Sequence, residues 1–527
     1  MRKDSPVTMT LSIASRPSDL LVVGVKGRDR LNAPFCFDID LVSPDPALDL
    51  ASLRQCNAGL EIGGTPAPLH GLHGLHGLHG QISDARQLYR GADLSVYRLR
   101  LTPALQKLCG PTRRRAFNGL TVPQILTRLL HDHGLTDGAF RFDHLIGVYP
   151  RRTHCLQYDE SDLHFLQRLC EEEGIAFRHE HALQRHTLVF SDDPMGFPEG
   201  AAPAPIDHLA EQLSVQASYS SHAGEHYTPQ AFAPQHHASD ADNQRLCAVQ
   251  HANRPLAQQQ QKQISVRLLE RLRCERREIR GRSRLPWFRA GLVVRVAGQP
   301  DPLLNDQSLL TEVCHSAWQL APLRGCTSND VIHILQAMAS AGAADMGIAQ
   351  WLLVQPGADR PALAGYENSF SVLPWTMPFR PSVEHPKPVV ASLETATLID
   401  GRADEAGRVR IRYGWQVEGP ASPFRDSWAR VVTSLTEPRA GMALRIQFFE
   451  GDPDQPLVCG MAEGPERISV LEATERDGAS PPTKPPEPAP VLVDSKVPLT
   501  LRGARATLHI NAQGIRYTPH ATGDDGM

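Results

Sequence analysis

Apolar and polar residues alternate along much of the chain. Val409, Ile411 and Tyr413 alternate with Arg410 and Arg412, and Leu444, Ile446 and Phe448 alternate with Arg445 and Gln447. A period of two puts one set of side chains on each face of a strand. The run Glu450-Gly451-Asp452-Pro453-Asp454 predicts a tight polar turn, because glycine tolerates positive φ and proline fixes its own. Short strands and tight turns across 407–460 predict a small closed β-barrel with no reaction centre in it. Residues 8–42 (TMTLSIAS, DLLVVGVKG, FCFDIDLVS) alternate in the same way and predict a β-meander. EIRGRSRL, LVVRVAG and SLLTEVCHSA predict further strands between 278 and 317.

Two stretches change period. In TVPQILTRLLHDHGL, Val122, Ile125, Leu126, Leu129 and Leu130 share one helical face. Thr121 and Gln124 form a capping box around Pro123, and Gly134 is placed to stop the helix. His131 and His133 at its end complement the helix dipole. In YDESDLHFLQRLCEEEGIAF, Asp159 or Ser161 caps, Leu163, Leu166 and Cys170 form a stripe beside Phe165 and Leu169, and Gly174 ends the helix. A glutamine- and arginine-rich helix is expected from about Leu256 to Arg273. The proline-rich stretches Pro378 to Pro388 and Ser480 to Pro490 read as a boundary and an extended spacer.

The 527 residues suggest three or four domains of about 150 residues each. With 58 acidic against 54 basic residues, the chain lacks the basic excess of a nucleic-acid binder. MRKDSPVTMTLSIASR holds no apolar core of signal-peptide length, and Leu20 to Val25 is too short to span a bilayer. Synthesis in the cytoplasm, without a signal peptide or transmembrane segment, is the expectation. The ten cysteines include no CxxC pair and are expected to be reduced and mostly buried.

Candidate chemistry is sparse. Leu-His-Gly repeats four times over 69–80, spacing His70, His73, His76 and His79 by three. A row of imidazoles is a weak metal-site candidate, and a repeat expansion in a surface loop is the preferred reading, since glycine at every third position resists a helix. The run Glu171, Glu172, Glu173, His179, Glu180, His181 is expected to be a solvated helix end followed by an exposed strand. Asp159 with Glu160, or Asp452 with Asp454, would be the carboxylate pairs of a glycosidase, although cap and turn roles explain them locally. No nucleophile elbow, phosphate loop or HExxH motif occurs, and no cofactor is indicated.

Three groups of residues together resemble the VgrG family, the tip spike of bacterial type VI secretion systems. The first is Tyr158, Glu160, Ser161 and Asp162 with Phe165, Leu169 and Gly174; the second is Gly407-Arg408-Val409 with Trp415 and Trp428; the third is Pro438-Arg439 through Phe448 and Gly451-Asp452-Pro453 to Gly460. The resemblance covers about residues 5–465. It implies a mainly β chain with an α+β hub: two hub β-barrels with inserted helices over 1–380, a barrel of the oligonucleotide/oligosaccharide-binding (OB) type over 390–462, a Pro-rich linker over 463–490 and a short β-needle segment over 491–527. It also implies a homotrimer on an inner-tube (Hcp-type) ring, a PAAR-type cap, effector or adaptor at the C-terminal end, transient contact with a target membrane, and secretion or injection after cytoplasmic assembly. A prophage or extracellular contractile particle would use the same folds. The short linker and tail imply no interposed glycosidase and a spike completed by another subunit. Leu508, Ile510, Ile515 and Tyr517 alternate in the tail, and wrapping three copies about one axis would bury the first three and pair their open strand edges.

Overall fold

The computed structural model describes residues 8–14, 20–63, 77–91, 93–182, 185–200, 203–206, 208–213, 258–301, 304–340, 364–416, 426–432, 438–462, 499–502, 506–511 and 514–519. It resolves into two compact units, 1–464 and 465–527.

The first unit is built on one twelve-stranded sheet. Its N-terminal strands are β1 (Met9–Ile13), β2 (Leu21–Arg30), β3 (Cys36–Ser43), β4 (Asn57–Ile62), β5 (Gly77–Arg90) and β6 (Ser95–Thr102). They lie in the order β1-β4-β5-β6-β3-β2. The expected meander is therefore corrected. β1 pairs with β4, because its alternation fits the edge left open by a later strand as well as that of its sequence neighbour.

Along the chain, a smaller α+β region comes between these strands and the rest of the sheet. It contains β7 (Arg113–Ala116), helix α1 (Val122–Asp132), β8 (Phe140–Phe142), β9 (Leu156–Glu160), helix α2 (Asp162–Glu173), β10 (Ala176–Ala182) and β11 (Arg185–Ser191). The capping box of α1 forms as expected. Its apolar face packs with Phe165, Leu166 and Leu169 of α2 into one core.

The sheet resumes with β12 (Ala204–Pro205) and β13 (His208–Leu213) and, after helix α3 (Gln258–Arg276), with β14 (Arg277–Ser283), β15 (Val293–Ala297) and β16 (Gln307–Gln319). Helix α4 (Ser328–Ser340) and β17 (Ala364–Pro374) complete it. β2 and β16 join the two halves, pairing Arg28 with Cys314. Each half has its own core, one around Phe37, Leu41, Leu60 and Leu99, the other around Phe288, Val294, Leu310 and Phe370.

Then come β18 (Glu394–Asp400), β19 (Arg408–Tyr413), β20 (Ser427–Val431), β21 (Ala443–Phe448) and β22 (Pro456–Met461), which close into a five-stranded barrel in the order β18-β19-β20-β22-β21. Val409, Ile411, Leu444 and Ile446 fill it, each at most 3% exposed. In the second unit, β23 (Leu499–Arg502), β24 (Ala506–Asn511) and β25 (Gly514–Pro519) form an antiparallel sheet, with Ile510 opposite Ile515 and Leu508 opposite Tyr517. Residues 463–498 lie outside the described residues.

Nine cysteines are described and all are free thiols. Only Cys155 and Cys170 are buried and Cys109 is exposed, so the expectation of mostly buried thiols is corrected.

Candidate functional site

The residues singled out by the sequence converge where the α+β region meets the barrel. Ser161 caps α2, its hydroxyl accepting from the His164 backbone N–H, and Gly174 ends the helix with φ 69°. Glu160, just before the helix, faces inward and takes a bidentate pair from Arg168, 2.7 Å to each oxygen. The two side chains are 3% and 1% exposed. The cap role expected of Glu160 is thus corrected to a buried ion pair. Arg168 also donates to the Leu156 carbonyl (3.0 Å) and to Glu172 (2.7 Å), and lies over the buried Phe165 ring. Arg152 reaches Glu172 and Glu173, both at 2.8 Å. Burial alone would raise the pKa of Glu172, but Arg152 and Arg168 outweigh it and hold the carboxyl well below the usual range. Asp162 is held low in the same sense, burial being outweighed by Gln157, His133 and Arg115. His133 bonds Asp162 at 2.6 Å, so its expected dipole role becomes a specific contact.

The barrel supplies the other side. Asp454 accepts from the Leu156 backbone N–H at 2.6 Å. Lys387, on the segment before the barrel, bridges Asp452 and Asp454 at 2.6 Å each. Burial works against that ammonium, but Asp454, Glu172 and Asp452 raise its pKa. The turn is held by backbone as well: the Val390 N–H donates to the Gly451 carbonyl at 2.8 Å, and Gly451 has φ 74°. A Cβ there would stand 2.6 Å from Val389 Cγ1. Pro453 lies within this turn. Tyr158 hydrogen-bonds Glu394 at the start of β18, and Arg114 reaches both Glu394 (3.0 Å) and Asp159 (2.8 Å). Asn118 donates to the Ser427 hydroxyl (2.9 Å) and the Asp426 carbonyl (3.0 Å). Leu156 and Tyr158 belong to the barrel's own core. The first and third motif groups are therefore two halves of one joint. Trp428 lies apart, on the outer face of the barrel opposite Arg410.

Several expectations fail at this joint for one reason. Glu171 and Glu173 are 3% and 7% exposed and His179 and His181 are 6% each, so most of the run read as a solvated helix end and exposed strand is interior, while Glu172 stays exposed and Glu180 half-buried. Its charges are matched by distant groups, Arg152 for Glu173 and His385 for Glu171. Lys387, Arg152 and Glu394 were not singled out by sequence reasoning. Their partners lie up to 280 residues away, and no local pattern marks such a pairing.

Asp159 and Asp454 are each held as carboxylates and not as the protonated acid of a glycosidase. Asp159 is held low by its Arg114 hydrogen bonds, and Asp454 by Lys387 and Arg168 despite burial. A general acid needs the opposite shift. Arg410 and Arg412 both pair with Asp426 of the same chain, at 2.6 and 2.8 Å.

The Leu-His-Gly repeat is described only at its end, His70, His73 and His76 lying outside the described residues. His79 sits in β5, 8% exposed, among His179, His181 and His186 around Phe35. The Ala104 N–H donates to His186 Nε2 at 2.9 Å, so neutral His186 carries its proton on Nδ1 and donates to His79 Nδ1 at 3.2 Å. His79 Nδ1 is thereby committed to a neutral imidazole pair. No group of three metal-ligating side chains occurs among the described residues.

Comparison with known proteins bears on the same region. The sequence profile of the family described as the phage tail baseplate hub matches residues 28–321. Two Pseudomonas aeruginosa type VI secretion system spike proteins are similar: VgrG4b is 34% identical over 86% of this chain, and VgrG5 is 33% identical over 86%. The chain spans 55% and 57% of their lengths. An Escherichia coli protein, described as a component of the type VI secretion system with structural similarity to the T4 tail proteins gp27 and gp5, shares the fold. Its TM-score is 0.60 at 23% identity, covering 86% of this chain and 100% of that one. With the family profile matching more than half of its length, the chain belongs to the phage tail baseplate hub family.

Proposed function

We propose that the chain is the structural spike at the tip of a type VI secretion apparatus, a homotrimer that is driven through a target membrane and carries a cap or effector. The observation that carries this reading is the joint. A hub sheet and a closed barrel are locked together by buried ion pairs, which suits a part that must transmit thrust without bending. The similarity to VgrG4b and VgrG5 over 86% of the chain supports it. In this reading residues 1–380 are the hub seated on an inner-tube ring, 390–462 the barrel, and 463–490 a linker to the tip at 491–527. Leu508, Ile510, Ile515 and Tyr517 on β24 and β25 are the strand positions offered for chain–chain pairing. The chain acts mechanically, not as a catalyst. It is assembled in the cytoplasm and exported by the apparatus; among the described residues no helix is long and apolar enough to cross a membrane.

The test is a secretion and killing assay in cells whose own spike genes are deleted. Expression of this chain restores export of the inner-tube protein if the reading holds, and a Glu160→Gln variant that releases peptidoglycan fragments no differently from the parent, both at background level, supports the absence of catalysis. Light scattering on the purified chain at micromolar concentration reports three copies. A compact monomer there overturns the spike reading.

A further inference from the structure

The outer face of the barrel offers chemistry that the joint does not use. The strand order β18-β19-β20-β22-β21 is first-second-third-fifth-fourth, and in OB-type barrels the face of the second and third strands is the one that takes oligonucleotides and oligosaccharides. Here those strands are β19 and β20. Their outward positions are Arg408, Arg410 and Arg412 on one and Trp428 and Arg430 on the other, while Val409, Ile411 and Ala429 point into the core.

The register places Arg408 directly opposite Arg430 and Arg410 directly opposite Trp428. Like charges directly opposed across two strands destabilise a sheet, so folding alone does not favour this arrangement. The side chains are nonetheless held in place. Asp426 takes both Arg410 and Arg412, Asp404 takes Arg408 at 2.7 Å, and the Arg408 guanidinium lies 5.8 Å from the Trp428 ring centre. No carboxylate among the described residues pairs with Arg430. Four guanidiniums against two carboxylates leave a positive face with a partly exposed indole at its centre, although the whole chain carries a net charge of −4. Guanidinium forks match phosphate and carboxylate oxygens bidentately, and the indole supplies a flat apolar platform.

From this face we infer a binding site for a sugar chain bearing phosphate or carboxylate groups, the sugar ring resting on Trp428 and the anionic groups met by Arg410 and Arg430. A single-stranded nucleic acid fits less well, since such sites stack successive bases on several aromatic side chains and Trp428 is the one aromatic among the outward positions of these two strands. The inference stands apart from the spike reading, which needs no ligand on this face.

The experiment is a titration of the full-length protein with lipid-free core oligosaccharide from lipopolysaccharide, before and after phosphatase treatment, read by tryptophan fluorescence and calorimetry. The expected result is binding of the phosphorylated form that weakens at least tenfold after phosphatase treatment or in 0.5 M salt, a comparable loss in the Arg410→Ala/Arg430→Ala double variant, and no fluorescence response in Trp428→Phe. Three results overturn the inference: no binding by the parent protein, equal binding by the double variant, or tighter binding of a single-stranded oligonucleotide of equal charge. Light scattering on each variant supplies the remaining control, because a changed number of copies in Arg430→Ala makes the face a chain–chain contact and removes the site. The three binding outcomes leave export in the secretion assay unchanged, and a changed copy number shows itself in light scattering, so failure here is distinguishable from failure of the spike reading.

Discussion

Arg168 buries its whole guanidinium between Glu160, Glu172 and the Leu156 carbonyl. Removing one partner of such a pair strands a charge in the interior and costs about 3–5 kcal/mol, whereas replacing both by apolar groups of similar volume is far milder. Arg168→Met is expected to lower stability by that amount in chemical denaturation, and Arg168→Met/Glu160→Met to recover much of it. Lys387→Met takes from Asp454 its direct ion-pair partner, leaving the Leu156 N–H and the more distant Arg168, and leaves a tight turn without its cation. A loss of about 2–3 kcal/mol is expected there. The imidazoles give a pH dependence of fixed sign. Burial, with Lys107 near His186 and Arg289 near His181, lowers all four: His186 to about 4, His179, next to His186, to about 3, and His79 and His181 below their ordinary value. Asn57 and Arg185 line the same small cavity and supply no anion. His154 in the joint is lowered to about 4 by burial, Asp454 opposing. Unfolded imidazoles take up protons below about pH 6.5 that the folded ones refuse, so this stability is complete above pH 6.5 and falls as pH drops towards 4, by roughly 1 kcal/mol per unit for each group. The carboxylates held low, Glu172 and Asp454, lose theirs only below the ordinary carboxylate range. The melting temperature is therefore expected to fall between pH 7 and pH 5, and to fall less in His179→Phe.

At the scale of elements, the short helix α2 is finished by residues from elsewhere. The last carbonyls of a helix run out of regular partners; the Gly174 and Ile175 N–H groups reach those of Glu171 and Cys170, and arginines from elsewhere complete the end. Arg271 of α3 donates to the Glu171 carbonyl, Arg267 to that of Glu173, and Arg380 to that of Gly174 at 3.0 Å. Three cations at the negative end of a helix dipole are favourable in the usual sense, and they pin α3 and the Pro378–Pro388 segment to α2. That segment, read from composition as a boundary, is in this respect a strap. Gly174→Ala should cost about 1–2 kcal/mol, since an L side chain is strained at φ 69° and its Cβ would meet Arg380 Cδ at 3.1 Å. Thermal denaturation checks it, with Gly134→Ala, open around its Cβ, as the comparison that isolates strain from crowding. What the sequence made legible here is local. The cap at Ser161, the stop at Gly174, the capping box of α1 and the alternation of the barrel strands all follow from neighbours a few residues apart. What it hid is long-range. Glu171 and Glu173 look solvated because their partners, His385 and Arg152, lie 214 and 21 residues away along the chain, and β1 looks like the partner of β2 because alternation specifies a face and not a neighbour.

For the whole molecule, the joint makes hub and barrel one cooperative body. Residues 1–464 form a single compact unit that contains both. A chain truncated after Gly460 is expected to keep the melting temperature of this unit within a few degrees and, on the proposed spike reading, to weaken assembly into trimers, because the strands offered for pairing between chains lie at 499–519. Calorimetry and light scattering on the truncated and full chains decide this; a collapse of the main transition would place the second unit in the folding core. The resemblance carried by the Tyr158–Gly174 and Gly451–Pro453 groups was legible because both are compact in sequence. That they meet was not, as nothing in either names the other.

The pairing of β2 with β16 has a further consequence, in time. Arg28 finds Glu312 across 284 residues, and the Met9 N–H finds Gln319 across 310. At roughly 5–20 residues per second, a ribosome takes about a quarter of a minute to a minute to make that stretch. Throughout that interval the inner edge of β2 is an unpaired row of backbone donors and acceptors, next to Val22, Val23 and Val25. The hub is thus completed after most of it has emerged, and a nascent chain of this kind has reason to need a holding chaperone.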